Sequence, residues 1–501
     1  MYTSVLDFLD KSSCEYFDKI IYRDSQQGLT FNEFNNMTKA IGTWLIGKVK
    51  AGQPVSVLSG RTVVTPVCYL GIVRAGCFYA PMDASMSKTR LNQILGVINS
   101  DIMLVDKEHL ELAKSLEYNG EIVVIEEVLN AKENEALLQE ARSKITEYSP
   151  LYVIFTSGSS GVPKGVITSH YSLMCYLDGL NEVIDVNDTD VLGSQSPLDY
   201  IAAIRDIYLP IMTGAETVII PKNEFAMGGK LFDTLNEYKI TTLCWSAAGM
   251  EVPAKLGAFD ETVPKYLKKV VFSGSVLPGK YLKIWQENLP QVMLVNQYGP
   301  TEATASCTYH VVKEKATEET VLSIGRPYKH YGIVLLSEDD NEVPQGETGE
   351  ICVTGPGLAL GYYGAREQTE KCFIQNPLNR NYSELLYKTG DLGRIEKDGN
   401  LTFLGRKDRQ IKHMGHRVEL AEIEIAALKV PTVEECCSLY DAGKKHIYLF
   451  YVGEAEQKGL VLHFRKNMPP FMVPRKVIQL DEMPRLPNGK PDMQRMKEYF
   501  K

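Results

Sequence analysis

Short β-branched runs alternating with stretches of helical period constrain this chain more than any other feature. Pro54-Val-Ser-Val-Leu, Asp101-Ile-Met-Leu-Val and Glu121-Ile-Val-Val-Ile are such runs, and Phe31 to Val49 and Thr65 to Ala75 carry apolar residues at helical spacing. The alternation predicts α/β layers with largely parallel strands. It continues through Thr217-Val-Ile-Ile, Thr241-Thr-Leu-Cys-Trp, Lys269-Val-Val-Phe and Gln291-Val-Met-Leu-Val, which predicts one large α/β body reaching about residue 325.

From Ile333 to Leu404 the texture changes to closely spaced strands punctuated by Asp339-Asp-Asn, Pro344-Gln-Gly-Glu and Lys397-Asp-Gly-Asn, which predicts a β-rich subdomain over about 330–405. After Gly405-Arg-Lys-Asp-Arg-Gln come a helical segment (Glu419 to Lys429), a strand (His446 to Val452), another helix and a Pro-rich tail. The expected organisation is a large N-terminal body, 1–405, followed by a small mobile α+β lid, 406–501.

Composition narrows the function. Lys plus Arg at 54 against Asp plus Glu at 63 gives a net charge of −9, which offers no basic field for nucleic acid or anionic lipid. No window reaches the ~18 apolar residues of a membrane span, and the start, Met1-Tyr-Thr-Ser-Val-Leu-Asp, brings an acid before any apolar run could act as a signal. The expected compartment is the cytoplasm. The ten cysteines are scattered without CxxC spacing, so they read as reduced, mostly buried thiols.

The chemistry concentrates in Tyr152-Val-Ile-Phe-Thr-Ser-Gly-Ser-Ser-Gly-Val-Pro-Lys-Gly-Val. A strand runs into a loop with hydroxyls at Ser157, Ser159 and Ser160, glycines at Gly158 and Gly161, then Lys164. Glycines let backbone N–H groups approach an anion, hydroxyls donate and the lysine adds a charge, the equipment of a phosphate cradle. Gly-Lys-Ser/Thr is absent, so this is not a Walker A loop. Two other patterns carry nothing: His413-Met-Gly-His416 has no third ligand of comparable spacing, and Gly228-Gly-Lys-Leu lacks the serine that would carry phosphopantetheine.

Further motifs follow in order: Asn296-Gln-Tyr-Gly-Pro-Thr-Glu-Ala-Thr, Tyr387-Lys-Thr-Gly-Asp-Leu-Gly, Gly405-Arg-Lys-Asp-Arg-Gln and Pro487-Asn-Gly-Lys-Pro-Asp. With Leu29-Thr-Phe-Asn-Glu-Phe and Gly71-Ile-Val-Arg-Ala-Gly-Cys-Phe-Tyr-Ala-Pro-Met-Asp before them, the chain resembles, end to end, the adenylate-forming superfamily. Within it the chain is most similar to the amino-acid-activating adenylation domains of nonribosomal peptide synthesis and free-standing relatives such as D-alanine:carrier-protein ligases.

The resemblance implies ATP and Mg²⁺ as cofactors and assigns roles by position. Thr156, Ser157 and Lys164 belong to the pyrophosphate loop, Thr301 to the α-phosphate, and Glu302 to Mg²⁺. Tyr298, followed by Gly299, would stack on adenine; Asp391 would accept the ribose hydroxyls and Arg406 would assist at ribose or phosphate. Lys490 would bridge substrate carboxylate and phosphate, and Asp408 would be the hinge of the lid. Such a site must neutralise two anions and align them at the α-phosphorus, which calls for residues of these types.

The acid pocket departs from the family pattern. Ile201 stands where amino-acid-activating members hold an aspartate for the substrate ammonium. Asp199, two residues earlier, would share its face in an extended stretch, about 7 Å away at ~3.3 Å per residue. The same alignment points Arg205 into the pocket with Ala202, Trp245, Val271, Ser273, Gln297, Ala305 and Ser306. A buried guanidinium needs an anion, so Arg205 is expected to meet Asp199, Asp206 or a second acidic group on the substrate, unless it faces solvent. Ser275 replaces a frequent glutamate and Ser160 a usual threonine.

The resulting expectation is adenylation of a carboxylic acid, an amino acid first, then transfer to the phosphopantetheine thiol of a carrier protein. The chain ends at Lys501 without a carrier segment, so the acceptor is expected to be a separate protein or coenzyme A. An aryl- or hydroxy-acid ligase, an acyl-CoA ligase and a non-catalytic nucleotide-binding relative are the alternatives. Lys164, Glu302, Asp391, Arg406 and Lys490 together argue against the last.

Overall fold

In the computed structural model the described residues are 2–157, 162–407, 409–484 and 491–500. Gly158, Ser159, Ser160, Gly161, Asp408 and Lys490 lie outside them. The chain divides into two compact units, one of Met1–Ala84, Ile98–Ile154 and Gly165–Lys407, the other of Ser85–Val97, Phe155–Lys164 and Asp408–Lys501.

The expected α/β layers are present. A nine-stranded sheet runs, from one edge to the other, Arg326–Pro327, Thr308–Val311, Met293–Tyr298, Lys269–Ser273, Thr242–Ser246, Val191–Ser194, Glu216–Ile219, Ile20–Arg23, Gly28–Thr30. Its strands from Met293–Tyr298 to Ile20–Arg23 are parallel. A seven-stranded sheet orders Gly361–Tyr362, Lys164–Ser169, Pro150–Thr156, Phe78–Asp83, Pro54–Ser59, Ile102–Val105 and Glu121–Val124. Pro54–Ser59 lies between two parallel neighbours and is buried at every position, which is why its sequence is an apolar run broken only by serines.

Helices form where caps and period agree. Phe31–Leu45 starts on a capping box in which Thr30 accepts from the Glu33 backbone while the Glu33 carboxylate accepts from Thr30, satisfying two otherwise orphaned donors. The helix Ala203–Thr213, which carries Arg205, ends on Gly214 at φ +78°, and a Cβ there would lie 2.2 Å from the Tyr16 ring. Only glycine satisfies both the left-handed turn and that close approach.

The β-rich subdomain is a five-stranded antiparallel sheet built on the long strand Leu385–Ile395, with Leu401–Arg406 beside it. Asp391 pairs with Arg406 in that ladder, so Arg406 belongs to this sheet and to the first unit rather than opening the second. The second unit contains the hairpin Gln410–His413 and His416–Glu419, the helix Leu420–Leu428 and a three-stranded sheet, Val433–Asp441, His446–Gly453 and Lys476–Gln479. Segments 85–97 and 155–164, early in the chain, also belong to it: Arg90 pairs with Glu422 at 3.1 Å and the Ser157 hydroxyl donates to the Arg417 carbonyl at 2.7 Å.

All ten cysteines are free thiols and seven are buried. No helix among the described residues is long and apolar enough to cross a membrane. His413 and His416 flank the hairpin turn, His416 stacked on Phe471 at 3.8 Å, and no described group of His, Cys, Asp or Glu could hold a metal ion as a three-ligand cluster.

Candidate active site

Parallel α/β sheets present their ligand-binding residues at the carboxyl ends of the strands. Two strands of the nine-stranded sheet, Lys269–Ser273 and Met293–Tyr298, end in Ser273 and in Gln297-Tyr298. Side chains alternate across a strand, so Gln297 and Tyr298 leave in opposite directions.

The Tyr298 phenol donates to Asp391 Oδ2 at 2.5 Å, and Asp391 Oδ1 accepts from the Arg406 guanidinium. The Asp391 backbone N–H donates to Thr389 Oγ1 at 2.9 Å, fixing the carboxylate's strand position. Asp391 and Tyr298 are both buried, and burial together with the Asp391 charge raises the phenol's pKa well above its ordinary range. Each carboxylate oxygen has two lone pairs, so Asp391 keeps acceptor capacity with both oxygens engaged.

After Tyr298 the chain turns sharply. A Cβ on Gly299 would stand 2.4 Å from the Ser306 Cα, so the turn needs glycine to let the backbone of 306–307 pass. The 3₁₀ turn Thr301–Ala303 follows, then Thr304 and Ala305 at φ +49° and +72°. Successive non-glycine residues in the left-handed region are held by partners, here the Cys307 N–H on the Tyr298 carbonyl at 2.8 Å and the Thr304 hydroxyl on the Gly357 carbonyl at 2.7 Å. Glu302 is fully buried, and the Tyr362 phenol donates to its carboxylate at 2.6 Å. That fits a Mg²⁺ site: one oriented carboxylate is the hard oxygen ligand such an ion takes from protein when water and phosphate complete its shell.

On the other side of the strand end lies Arg205, fully buried. Its Nε donates to the Ala202 carbonyl at 3.2 Å; Nη1 donates to Gln297 Oε1 at 2.8 Å and to Ser273 Oγ at 3.3 Å. Gln297 is pinned in turn, its amide N–H donating to the Tyr328 hydroxyl at 2.5 Å and its oxygen accepting from Ser306 at 3.3 Å. Val271, Ala202 and Ala305 are buried apolar neighbours in the same core cluster or helix start.

Three expectations are corrected. Arg205 meets neither Asp199 nor Asp206 in an ion pair, nor does it face solvent; its described partners are neutral. Trp245 lies on the opposite face of its strand: it packs with Leu243, Phe272 and Leu294, and its indole N–H donates to the Gly193 carbonyl at 2.8 Å. Cys244, one residue earlier, faces the Arg205 side, where burial pushes its thiol up to about 12 and keeps it neutral. Asp199 is not in an extended stretch; 198–202 is a turn, so strand parity with Ile201 does not apply. Ile201 is buried in the core, while Asp199 Oδ1 is enclosed without a hydrogen-bond partner. Burial, then the neighbouring Asp83 charge, pushes the Asp199 carboxyl up to about 7.

In the second unit, Thr156 ends the strand Pro150–Thr156 with its hydroxyl buried and without a hydrogen-bond partner, as a donor reserved for a ligand oxygen would be. Lys164 opens the strand Lys164–Ser169. The supporting residues Tyr362, Tyr328, Tyr176 and Asp83 carry no local signal that assigns them to a site, although Asp83 closes an early motif.

The sequence and the fold have counterparts. The model of the family described as AMP-binding enzyme matches residues 9–363, and that of the AMP-binding enzyme C-terminal domain matches 422–490. Gramicidin S synthase 1 of Brevibacillus brevis is 29% identical over 94% of this chain and 42% of its own length. Tyrocidine synthase 1 of Brevibacillus parabrevis is 28% identical over 99% of this chain and 45% of its own length. The chain spans less than half the length of these curated relatives. The structure of holo-PA1221, a nonribosomal peptide synthetase protein containing adenylation and PCP domains, superposes with a TM-score of 0.86 at 21% identity, covering 99% of this chain and 84% of that one. Holo-AB3403, a four-domain nonribosomal peptide synthetase bound to AMP and glycine, is 26% identical with a TM-score of 0.71, over 98% and 36% of the two chains.

Proposed function

We propose, from the premise that this chain belongs to the AMP-binding enzyme family and is an ATP-dependent, AMP-forming ligase, that it activates an amino acid and passes it to the phosphopantetheine thiol of a carrier protein. One observation carries the reading: a single strand end sends Gln297 to the buried Arg205 and Tyr298 to Asp391, which also pairs with Arg406, and this supports an acid pocket and a nucleotide pocket built on one backbone. The relative bound to AMP and glycine supports an amino acid.

The substrate carboxylate oxygen attacks the α-phosphorus of ATP; that O–P bond forms, the bond to the β-phosphate's bridging oxygen breaks, and pyrophosphate leaves with the electron pair. A thiolate then attacks the acyl carbon and AMP departs. Asp391 orients the ribose while Tyr298 and Arg406 hold Asp391, and Thr301 lies at the α-phosphate. Thr156, Ser157, Ser159, Ser160 and Lys164 position the leaving pyrophosphate, with Gly158 and Gly161 letting the backbone approach it. When bound, Mg²⁺ supplies charge neutralisation on the phosphates, and Glu302, oriented by Tyr362, would hold it. Lys490 neutralises carboxylate and phosphate where they meet, and Asp408 is the hinge position. Asp199 supplies the anion for the ammonium that Ile201 cannot.

ATP–pyrophosphate exchange with standard amino acids beside hydroxy, aryl and β-amino acids tests this. Exchange with amino acids, followed by carrier loading, is expected. Exchange confined to acids lacking an amine would replace the amino-acid reading with that of an aryl- or hydroxy-acid ligase, and loading of coenzyme A alone would exclude the carrier.

A further inference from the structure

Arg205 is a buried charge whose own protein leaves it incomplete. A guanidinium has five N–H donors and cannot deprotonate. Nε and Nη1 are spent on the Ala202 carbonyl, Gln297 and Ser273, all neutral, while Nη2 is enclosed and has no hydrogen-bond partner. Asp206, the next residue on the helix, acts on Arg205 through space, and its carboxylate oxygens make no close hydrogen bond, the Ser194 hydroxyl reaching them only at longer range. Burial pushes Asp206 up to about 7, so it is a fractional counter-charge at neutral pH.

A second open donor stands beside it. The Tyr176 hydroxyl is buried and makes no close hydrogen bond, Arg205 and Ser306 acting on its oxygen as donors only at longer range, and burial pushes its pKa up to about 12, so its own O–H stays a neutral donor. The acceptor side of the cluster is already taken: Gln297 Oε1 receives from both Arg205 and Ser306, and the Tyr328 oxygen receives from Gln297. Apart from the partly protonated Asp206 carboxyl, what remains is donors, at the strand end the preceding reading assigns to the acid. An uncompensated buried charge costs several kcal/mol, so a pocket that keeps one is built for a ligand that brings the opposite charge.

We propose that Arg205, with the Tyr176 hydroxyl, holds a second anionic group on the substrate, a side-chain carboxylate, so that the activated acid is a dicarboxylic one such as an acidic amino acid. The inference rests on the reading of this site as an acid-activating pocket. The carboxylate at Arg205 is not the one that reacts; it fixes the far end of the molecule and makes shorter or neutral acids poor substrates.

The test is ATP–pyrophosphate exchange by the full chain with aspartate, glutamate, succinate and glutarate against asparagine, glutamine, alanine and valine, for the wild type, Arg205→Met and Arg205→Lys. The expected result is kcat/KM about a hundredfold higher for the diacids than for the matching amides, in line with the loss of one partner of a buried charge pair. Arg205→Met should lose about that factor on diacids alone, Arg205→Lys should recover part of it, and the melting temperature of Arg205→Met should fall little, because Asp206, the counter-charge beside it, is itself partly protonated. Preference for a monocarboxylic acid, with Arg205→Met unaffected, overturns this inference and leaves adenylation standing. Equal loss on every acid also overturns it, since Arg205 would then serve the reacting carboxylate or the fold. Exchange with no acid of the panel overturns the inference together with the reading beneath it.

Discussion

The Asp391 and Arg205 clusters lie on either side of one strand end and are built on opposite terms. Asp391 is an anion whose partners, Tyr298 and Arg406, are supplied by the protein. Arg205 is a cation given neutral hydrogen-bond partners, a partly protonated Asp206 as counter-charge, and donors left over. Burial alone predicts neither, since both residues are almost wholly removed from water. The difference separates a group that must hold its place whether or not ligand is bound from one whose electrostatics are completed by a ligand.

The largest effect is expected at the residue assigned to the reacting atoms, which both pockets serve. Lys490→Ala should lower exchange by about two to three decades with ATP binding retained, since a charge-assisted contact of roughly 3 to 4 kcal/mol corresponds to that factor at ~1.4 kcal/mol per decade. Activity within a few-fold of wild type would detach Lys490 from the chemistry.

Asp391→Asn probes the self-completed side. It leaves Arg406 without its anion, so denaturant unfolding should show a loss of about 3 kcal/mol alongside a raised KM for ATP. A variant of unchanged stability would mean that Asp391, like Arg205, waits for its ligand.

Asp199 sharpens the contrast at the acid end through pH. Its carboxyl is raised from an ordinary value of 3.8 to about 7, so the folded state binds the proton more tightly than the unfolded chain, and stability falls as pH rises from about 4 through 7. Asp199→Asn removes this loss: its stability should match wild type at pH 4 and exceed it by about 2 kcal/mol at pH 8, discounted for partial exposure. In the wild type, affinity for an amino acid should rise through pH 7 as the carboxylate ionises. Affinity flat in pH would remove Asp199 as the ammonium partner.

Much of this was legible in the sequence. The strand-forming runs and the order of motifs anticipate that Thr156, Tyr298 and Arg406 end strands and that Glu302 lies in the turn after one, while Asp391 sits inside the strand Leu385–Ile395. What was not legible depends on distance and parity. Tyr176, Tyr328 and Tyr362 act from elements far along the chain. Trp245 was misplaced because one step along a strand reverses the face, and Asp199 because Pro197 and Tyr200 set a turn where an extended stretch was assumed. The joining of segments 85–97 and 155–164 to the second unit depends on contacts such as Arg90 with Glu422, which no local pattern announces.

The central claim, that neighbouring residues of one strand serve two different substrates, is tested most directly by steady-state KM values for ATP and for the best acid in Gln297→Leu and Tyr298→Phe. Tyr298→Phe removes the hydrogen bond to the charged Asp391, and Gln297→Leu removes the one to the charged Arg205 together with those to Ser306 and Tyr328; a bond to a charged group is worth roughly 1.5 kcal/mol or about tenfold. The account predicts that Gln297→Leu raises KM for the acid about tenfold with KM for ATP unchanged, and that Tyr298→Phe does the reverse. Parallel shifts in both constants for both variants would contradict it.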